Sequence, residues 1–105
     1  MERLSSKLGL HKGCLIHWCP GCEDIHSIPV NTGNLKDWKI VEGSTVNIPS
    51  VIPSVKLSRG NKILCHYIIE RGLINYCNDT THKYTNMVVP LPDIPVEYYG
   101  RSDKK

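Results

Sequence analysis

Apolar and polar residues alternate in short runs along this chain, and no apolar stripe recurs at helical spacing. The pattern predicts strands. Cys14-Leu15-Ile16-His17-Trp18 reads as a first strand. Ile25 to Val30 reads as a second, with Ile28 and Val30 on one side and Ser27 and Pro29 on the other. Pro29 has no N–H to give a ladder, so this strand belongs at a sheet edge. Leu35 to Val41 suits a short strand or one helical turn. Val46 to Val55 carries Pro49 and Pro53, which argue against an interior helix and a central strand. That stretch is expected to run extended across the surface. The clearest element is a β-hairpin. Lys62 to Ile69 is β-branched and aromatic, Glu70-Arg71-Gly72 turns, and Leu73 to Cys77 returns. Tyr84 to Leu91 suits a last short strand, after which Pro92 and Pro95 break regularity.

Composition narrows the picture. The 105 residues are enough for one domain, with 40% hydrophobic and 22% charged residues. Phe is absent, and the aromatic residues are five Tyr and two Trp. Their polar groups make a dry core hard to build, so a metal cross-link would help. The net charge of +3 is scattered, apart from Arg101, Lys104 and Lys105 at the end. No apolar run reaches the length of a membrane span, and Met1 to Ser6 is too polar for a signal peptide. Five Cys residues would leave one over in a disulfide framework. These features point to a reducing cytoplasm, where Cys-x-x-Cys means metal or redox chemistry.

The chemistry centres on Trp18-Cys19-Pro20-Gly21-Cys22-Glu23-Asp24-Ile25-His26. Pro20 fixes one backbone angle and Gly21 permits a tight bend, so both thiols aim at one point. That arrangement suits tetrahedral zinc. A redox pair would instead open a helix, whose N-terminus lowers the thiol pKa, and a strand pattern follows Cys22. The knuckle needs further ligands. Cys65 is expected to supply one, on the strand face shared with Tyr67 and Ile69, while His66 points the other way. His82 competes for the fourth place with Cys77, which would oppose Cys65 if the turn centres on Arg71. His26 and His66 are alternates. The expected set is Cys19, Cys22, Cys65 and His82 around one zinc ion per chain. Asp79 could orient His82 on the metal, or His82 could act as a base. The predicted fold class is mainly β: a small, zinc-ribbon-like antiparallel domain with little helix. Residues 1–12 are expected as a flexible lead-in, 13–95 as the domain and 96–105 as a tail.

In order, the chain has Trp-Cys-Pro-Gly-Cys-x-x-x-His, a Pro-Ser stretch, Cys-His-Tyr-Ile-Ile-x-x-Gly-x-Ile-x-Tyr, Asp-x-x-His and Val-Pro-Leu-Pro. From Trp18 to Pro92 this set resembles a family of small phage, prophage and bacterial proteins without assigned function. Some members carry an ammonia monooxygenase label, which this short, zinc-type chain does not support. The resemblance implies Cys19, Cys22, His26, Cys65, His66, Asp79 and His82 as the family's polar positions. Pro49 to Ser54 resembles the family's Pro-Thr-x-x-Pro-Ser segment. Two departures stand out: Thr80 replaces a frequent Cys, and Cys77 has no counterpart, which favours His82 as a ligand.

These readings favour a binding module over an enzyme, an accessory protein that engages a host or phage protein and needs zinc only to fold. The alternative is a zinc-dependent hydrolase or small-ligand-binding protein, with His66, Asp79 and His26 as candidate catalytic groups. The second alternative is a weak nucleic-acid binder, with Tyr67 and Tyr76 available to stack on bases. The modest charge and the lack of a basic stripe argue against strong binding. No His-x-Glu precedes the knuckle, and His-Glu-x-x-His is absent, which excludes deaminase-type and metalloprotease-type motifs.

Overall fold

A computed structural model describes residues 1–98 of the chain. Among the described residues, nine strands form two antiparallel sheets. The first holds β1 (Glu2–Arg3), β2 (Gly9–His11), β3 (Cys14–Cys19) and β4 (Asp24–Pro29), in that order. The second holds β5 (Lys39–Ile40), β6 (Val51–Arg59), β7 (Lys62–Glu70), β8 (Leu73–Tyr76) and β9 (Val88–Pro90), again in chain order. Each sheet is thus a meander, the topology that short turns between successive strands produce. The fold is mainly β, as the alternation predicted. Among the described residues, no helix is long and apolar enough to cross a membrane.

Turn chemistry sets the registers. Lys12 and Gly13 have φ of 50° and 80°, and they join His11 to its partner Cys14. Arg71 and Gly72, with φ of 52° and 76°, join Glu70 to Leu73 in the same way. Two successive left-handed residues match the twist of the flanking strands. The β7–β8 turn therefore centres between Arg71 and Gly72. Tyr67 then faces Tyr76, and the Cys77 amide donates to the His66 carbonyl at 2.8 Å. A turn centred on Arg71, the condition under which Cys77 would oppose Cys65, is therefore not met. A half-step in the turn moves Cys77 opposite His66, on the other face of the sheet.

Leu8, just before β2, and Leu15 and Ile28 of the first sheet pack with Val51, Val55, Tyr67, Ile69 and Ile74 of the second, and with Leu91. The core lies between the sheets. Residues 1–12, read from sequence as a lead-in, carry β1, β2 and the buried Leu8. Pro29 lies on β4, at the sheet edge where its missing donor is tolerated. Pro53 differs from expectation, because it lies within β6 rather than in a surface connection. Between the pairs Val51–Ile69 and Val55–Tyr67, three residues of β6 face one of β7. Pro53 occupies that bulge, where no ladder bond is lost. The expected tail lies largely outside the described residues.

Arg71 is an L-residue in a left-handed conformation that Asn adopts more readily. Arg71→Asn is expected to raise unfolding free energy by about 0.5–1 kcal/mol. Gly72→Ala is expected to lower it by about 1 kcal/mol or more, because its Cβ would press the Ile48 backbone at 3.3 Å as well as straining φ. Urea unfolding checks both. A destabilised Arg71→Asn would refute the turn argument.

Candidate functional site

β7 carries chemistry on both faces. Its burial alternates along Cys65, His66, Tyr67, Ile68 and Ile69, with the odd-numbered residues buried. Cys65 points between the sheets and His66 points away, as the strand period requires.

On the inner face, Cys19, Cys22, Cys65 and His82 converge, with all four ligand atoms within 4.8 Å of one another. Cys19 ends β3. The Glu23 amide closes the knuckle turn onto the Cys19 carbonyl at 2.8 Å, and Glu23 takes a left-handed φ of 53°. Cys65 comes from mid-β7, and His82 from the loop beyond β8. Gly21 admits His82: any side chain at this position would collide with the imidazole ring. The Cys19 and Cys65 sulfurs are 3.8 Å apart, and Cys65 Sγ is 3.4 Å from His82 Nε2. Around a tetrahedral ion of zinc's size those separations would be about 3.8 and 3.5 Å. The cluster could thus hold a metal ion. A cation on Nε2 needs the ring proton on Nδ1, so the Tyr84 amide, 3.2 Å from Nδ1, must then turn away. The alternates His26, His66 and Cys77 lie outside this set.

The thiols' electrostatics fit a cation. A hydrogen bond from Cys65 lowers the Cys19 thiol to about 4, aided by the Tyr76 hydroxyl at 3.1 Å. Burial pushes Cys22 up to about 11, and the Cys19 charge adds to this. The bond to Cys19, with burial, holds Cys65 far above its ordinary value. Without a cation, one sulfur ionises and suppresses its neighbours.

Behind the cluster runs a buried polar chain. His17 Nδ1 donates to the Trp18 carbonyl at 3.3 Å, which leaves Nε2 to accept the Tyr67 hydroxyl at 2.6 Å. His26 Nδ1 then donates to the Tyr67 oxygen at 3.0 Å. Burial lowers His17 to about 3 and lowers His26 as well, so both rings stay neutral. His26, a candidate catalytic group from sequence, instead helps join the two sheets.

On the outer face, His66 lies between Ser54 and Asp79. Ser54 Oγ is 3.0 Å from His66 Nε2, and the Asp79 oxygens are 2.9 and 3.1 Å from His66 Nδ1. Asp79 accepts only, so it holds the proton on Nδ1 and leaves Nε2 free to accept the Ser54 hydroxyl proton. All three side chains are partly exposed. The Thr80 hydroxyl accepts the His66 amide at 2.9 Å and donates to the His66 carbonyl at 2.8 Å, clamping the Asp79 loop to β7. The Trp38 indole donates to the Ser54 carbonyl at 3.2 Å and steadies the bulge. Asp79, expected beside His82, thus partners His66, because the Cys77–Thr80 turn folds back on the outer face. The sequence reading did not identify Ser54. Its signal was a Ser of even parity on the strand paired with His66, since Lys56 lies directly across from His66. Burial, and then the Asp79 charge, raise the nearby Cys77 thiol.

Together these features define a two-sheet β domain with a thiol–imidazole cluster on one side of a strand and a Ser-His-Asp array on the other. The family model described as "Bacterial ubiquitination-like system serine protease (BubE)" matches residues 3–77, and the chain belongs to that family. The match spans Ser54, His66 and the three clustered Cys residues, and ends just before Asp79 and His82. No curated protein and no solved structure matches the chain.

Gly21→Ala should push His82 off the knuckle and weaken metal affinity by about tenfold or more. Competition with a chromophoric chelator measures it. Unchanged affinity would remove His82 from the ligand set.

Proposed function

We propose that this protein is a serine peptidase of a bacterial ubiquitination-like system, with Ser54 as nucleophile, His66 as general base and acid, and Asp79 as the group that orients His66. The observation that carries this reading is the hydrogen-bonded line from Ser54 Oγ through both His66 nitrogens to Asp79. The family description, which names a serine protease, supports it.

In this scheme Ser54 Oγ attacks the acyl carbonyl while its proton passes to His66 Nε2. The imidazolium is stabilised by the Asp79 carboxylate and returns the proton to the leaving group. The acyl-enzyme is then hydrolysed by water, which gives its proton to the same Nε2. The substrate would be a polypeptide of that system, and this proposal takes the place of an unspecified host or phage partner. Zinc would fill the inner cluster. Cys19, Cys22, Cys65 and His82 would hold it, and four protein ligands would leave no open position, so its role would be structural. A zinc-dependent hydrolase would need an open coordination site. A binding module alone accounts for the metal cluster but leaves the Ser54–His66–Asp79 alignment without a role.

A fluorophosphonate probe is expected to label Ser54 in the wild type, and Ser54→Ala to abolish both labelling and peptide hydrolysis. Asp79→Asn should keep the fold and cut kcat by about 10⁴-fold, because the imidazole then takes the wrong tautomer. Both variants should retain one equivalent of zinc. Labelling that persists in Ser54→Ala, or hydrolysis unaffected by it, would overturn the assignment.

A further inference from the structure

Cys77 takes no part in the inner cluster or in the proposed reaction, yet it stands beside both. The β7–β8 register places it across from His66, and its amide is tied to the His66 carbonyl. Thr80, three residues on, closes a turn onto the Cys77 carbonyl at 3.2 Å and clamps the His66 backbone. The ligand atoms of His66, Cys77 and Asp79 consequently lie within 4.8 Å of one another, on a partly exposed surface. A thiol, an imidazole and a carboxylate preassembled around one point, with access to solvent, make a donor set for a thiophilic divalent cation.

We propose that His66, Cys77 and Asp79 form a second, inhibitory metal site, which takes zinc and switches the Ser54 nucleophile off. This inference rests on the triad reading of Ser54, His66 and Asp79. The cation binds His66 at Nδ1, the nitrogen that faces Asp79 at 2.9 Å. Nitrogen and oxygen ligands of a tetrahedral zinc lie about 3.3 Å apart, so the pair need open by only about 0.4 Å. The proton balance is explicit. Cys77 releases its thiol proton to water as the Zn–S bond forms. The neutral imidazole moves its single proton from Nδ1 to Nε2. Nε2–H then points at Ser54 Oγ as a donor and cannot accept the hydroxyl proton. The metal thereby imposes on His66 the inactive tautomer that Asp79 ordinarily excludes. Three protein ligands leave the fourth position to water, which suits a reversible site.

The test uses full-length protein carrying one zinc in the inner cluster, titrated with zinc chloride, and with cobalt(II) in parallel. The readouts are metal stoichiometry, the cobalt–thiolate absorption band and the rate of Ser54 labelling by a fluorophosphonate. The wild type is expected to take a second equivalent and to lose labelling toward the roughly 10⁴-fold limit of a wrong-tautomer histidine. A moderate chelator should restore the rate. Cys77→Ser, or Cys77→Ala should the serine variant misfold, is expected to label at the wild-type rate without added metal. Its half-inhibiting zinc concentration should rise at least about tenfold. Ser54→Ala should still take the second equivalent, which separates the metal site from the chemistry. A wild type that binds one equivalent only, or a Cys77 variant inhibited like the wild type, overturns the inference while persistent labelling leaves the triad standing. Failure of Ser54 to label in protein freed of the second metal sinks the triad, and the inhibitory role with it.

Discussion

The structure depends on the period of one strand. Cys65 and His66 are successive residues of β7, and a strand sends successive side chains to opposite faces. Cys65 therefore enters the space between the sheets, beside Cys19 and Tyr76, and His66 leaves it toward Ser54 and Asp79. A slip of one residue would exchange them, placing an imidazole among the buried thiols and a thiol against Ser54. Three local devices hold the register. The left-handed pair Arg71-Gly72 sets the β7–β8 pairing, the Thr80 hydroxyl brackets the His66 peptide groups, and the β6 bulge fixes where Ser54 falls.

The seam between the sheets is unusually polar for a core. A chain without Phe fills part of it with hydroxyls, imidazoles and thiols. Each buried polar group needs a partner, because an unsatisfied one costs about 1–3 kcal/mol. The chain from Trp18 through His17 and Tyr67 to His26 meets that need, and among the described residues no buried side-chain nitrogen or oxygen lacks a partner. The thiol cluster adds a charge problem to the seam. Its three sulfurs repel one another as they ionise, so one charge there suppresses the next. A divalent cation would turn that repulsion into attraction and tie β3, β7 and the loop after β8 at a single point.

The inner face was legible from the sequence and the outer face only in part. Cys-Pro-Gly-Cys announces its geometry because Pro and Gly restrict the backbone locally, and Cys65 follows from strand parity. His82 required only a ligand just past a strand end. The β-hairpin and the edge position of Pro29 came from equally local signals. Ser54, Asp79 and Cys77 were harder, because their roles depend on pairing between elements. Ser is common, and nothing local distinguishes Ser54 from Ser50 or Ser58. Its role emerges once β6 is laid against β7 with a bulge at Pro53, a residue that had argued against any central strand. Cys77 stayed an alternate ligand because half a step of turn geometry decides which of the two faces it joins. The segment over residues 1–12 is short and polar, and its strands form only because β3 offers an edge to pair with.

Placing a metal ligand and the proposed base on adjacent residues has a consequence for how the protein works. A Ser-His-Asp array tolerates little misplacement, and an error of about 1 Å can cost about 10²-fold in rate. One peptide bond separates Cys65 from His66, so a shift of β7 at the inner cluster would be felt by the outer array. Under the proposed reading, activity would depend on an inner metal even though an ion held by Cys19, Cys22, Cys65 and His82 would not meet the substrate. Loss of activity on chelation therefore does not identify a metalloenzyme here. The distinction lies in which atom attacks the carbonyl. A covalent adduct on Ser54 assigns the chemistry to the outer face, and metal-dependent folding assigns the ion to the inner one.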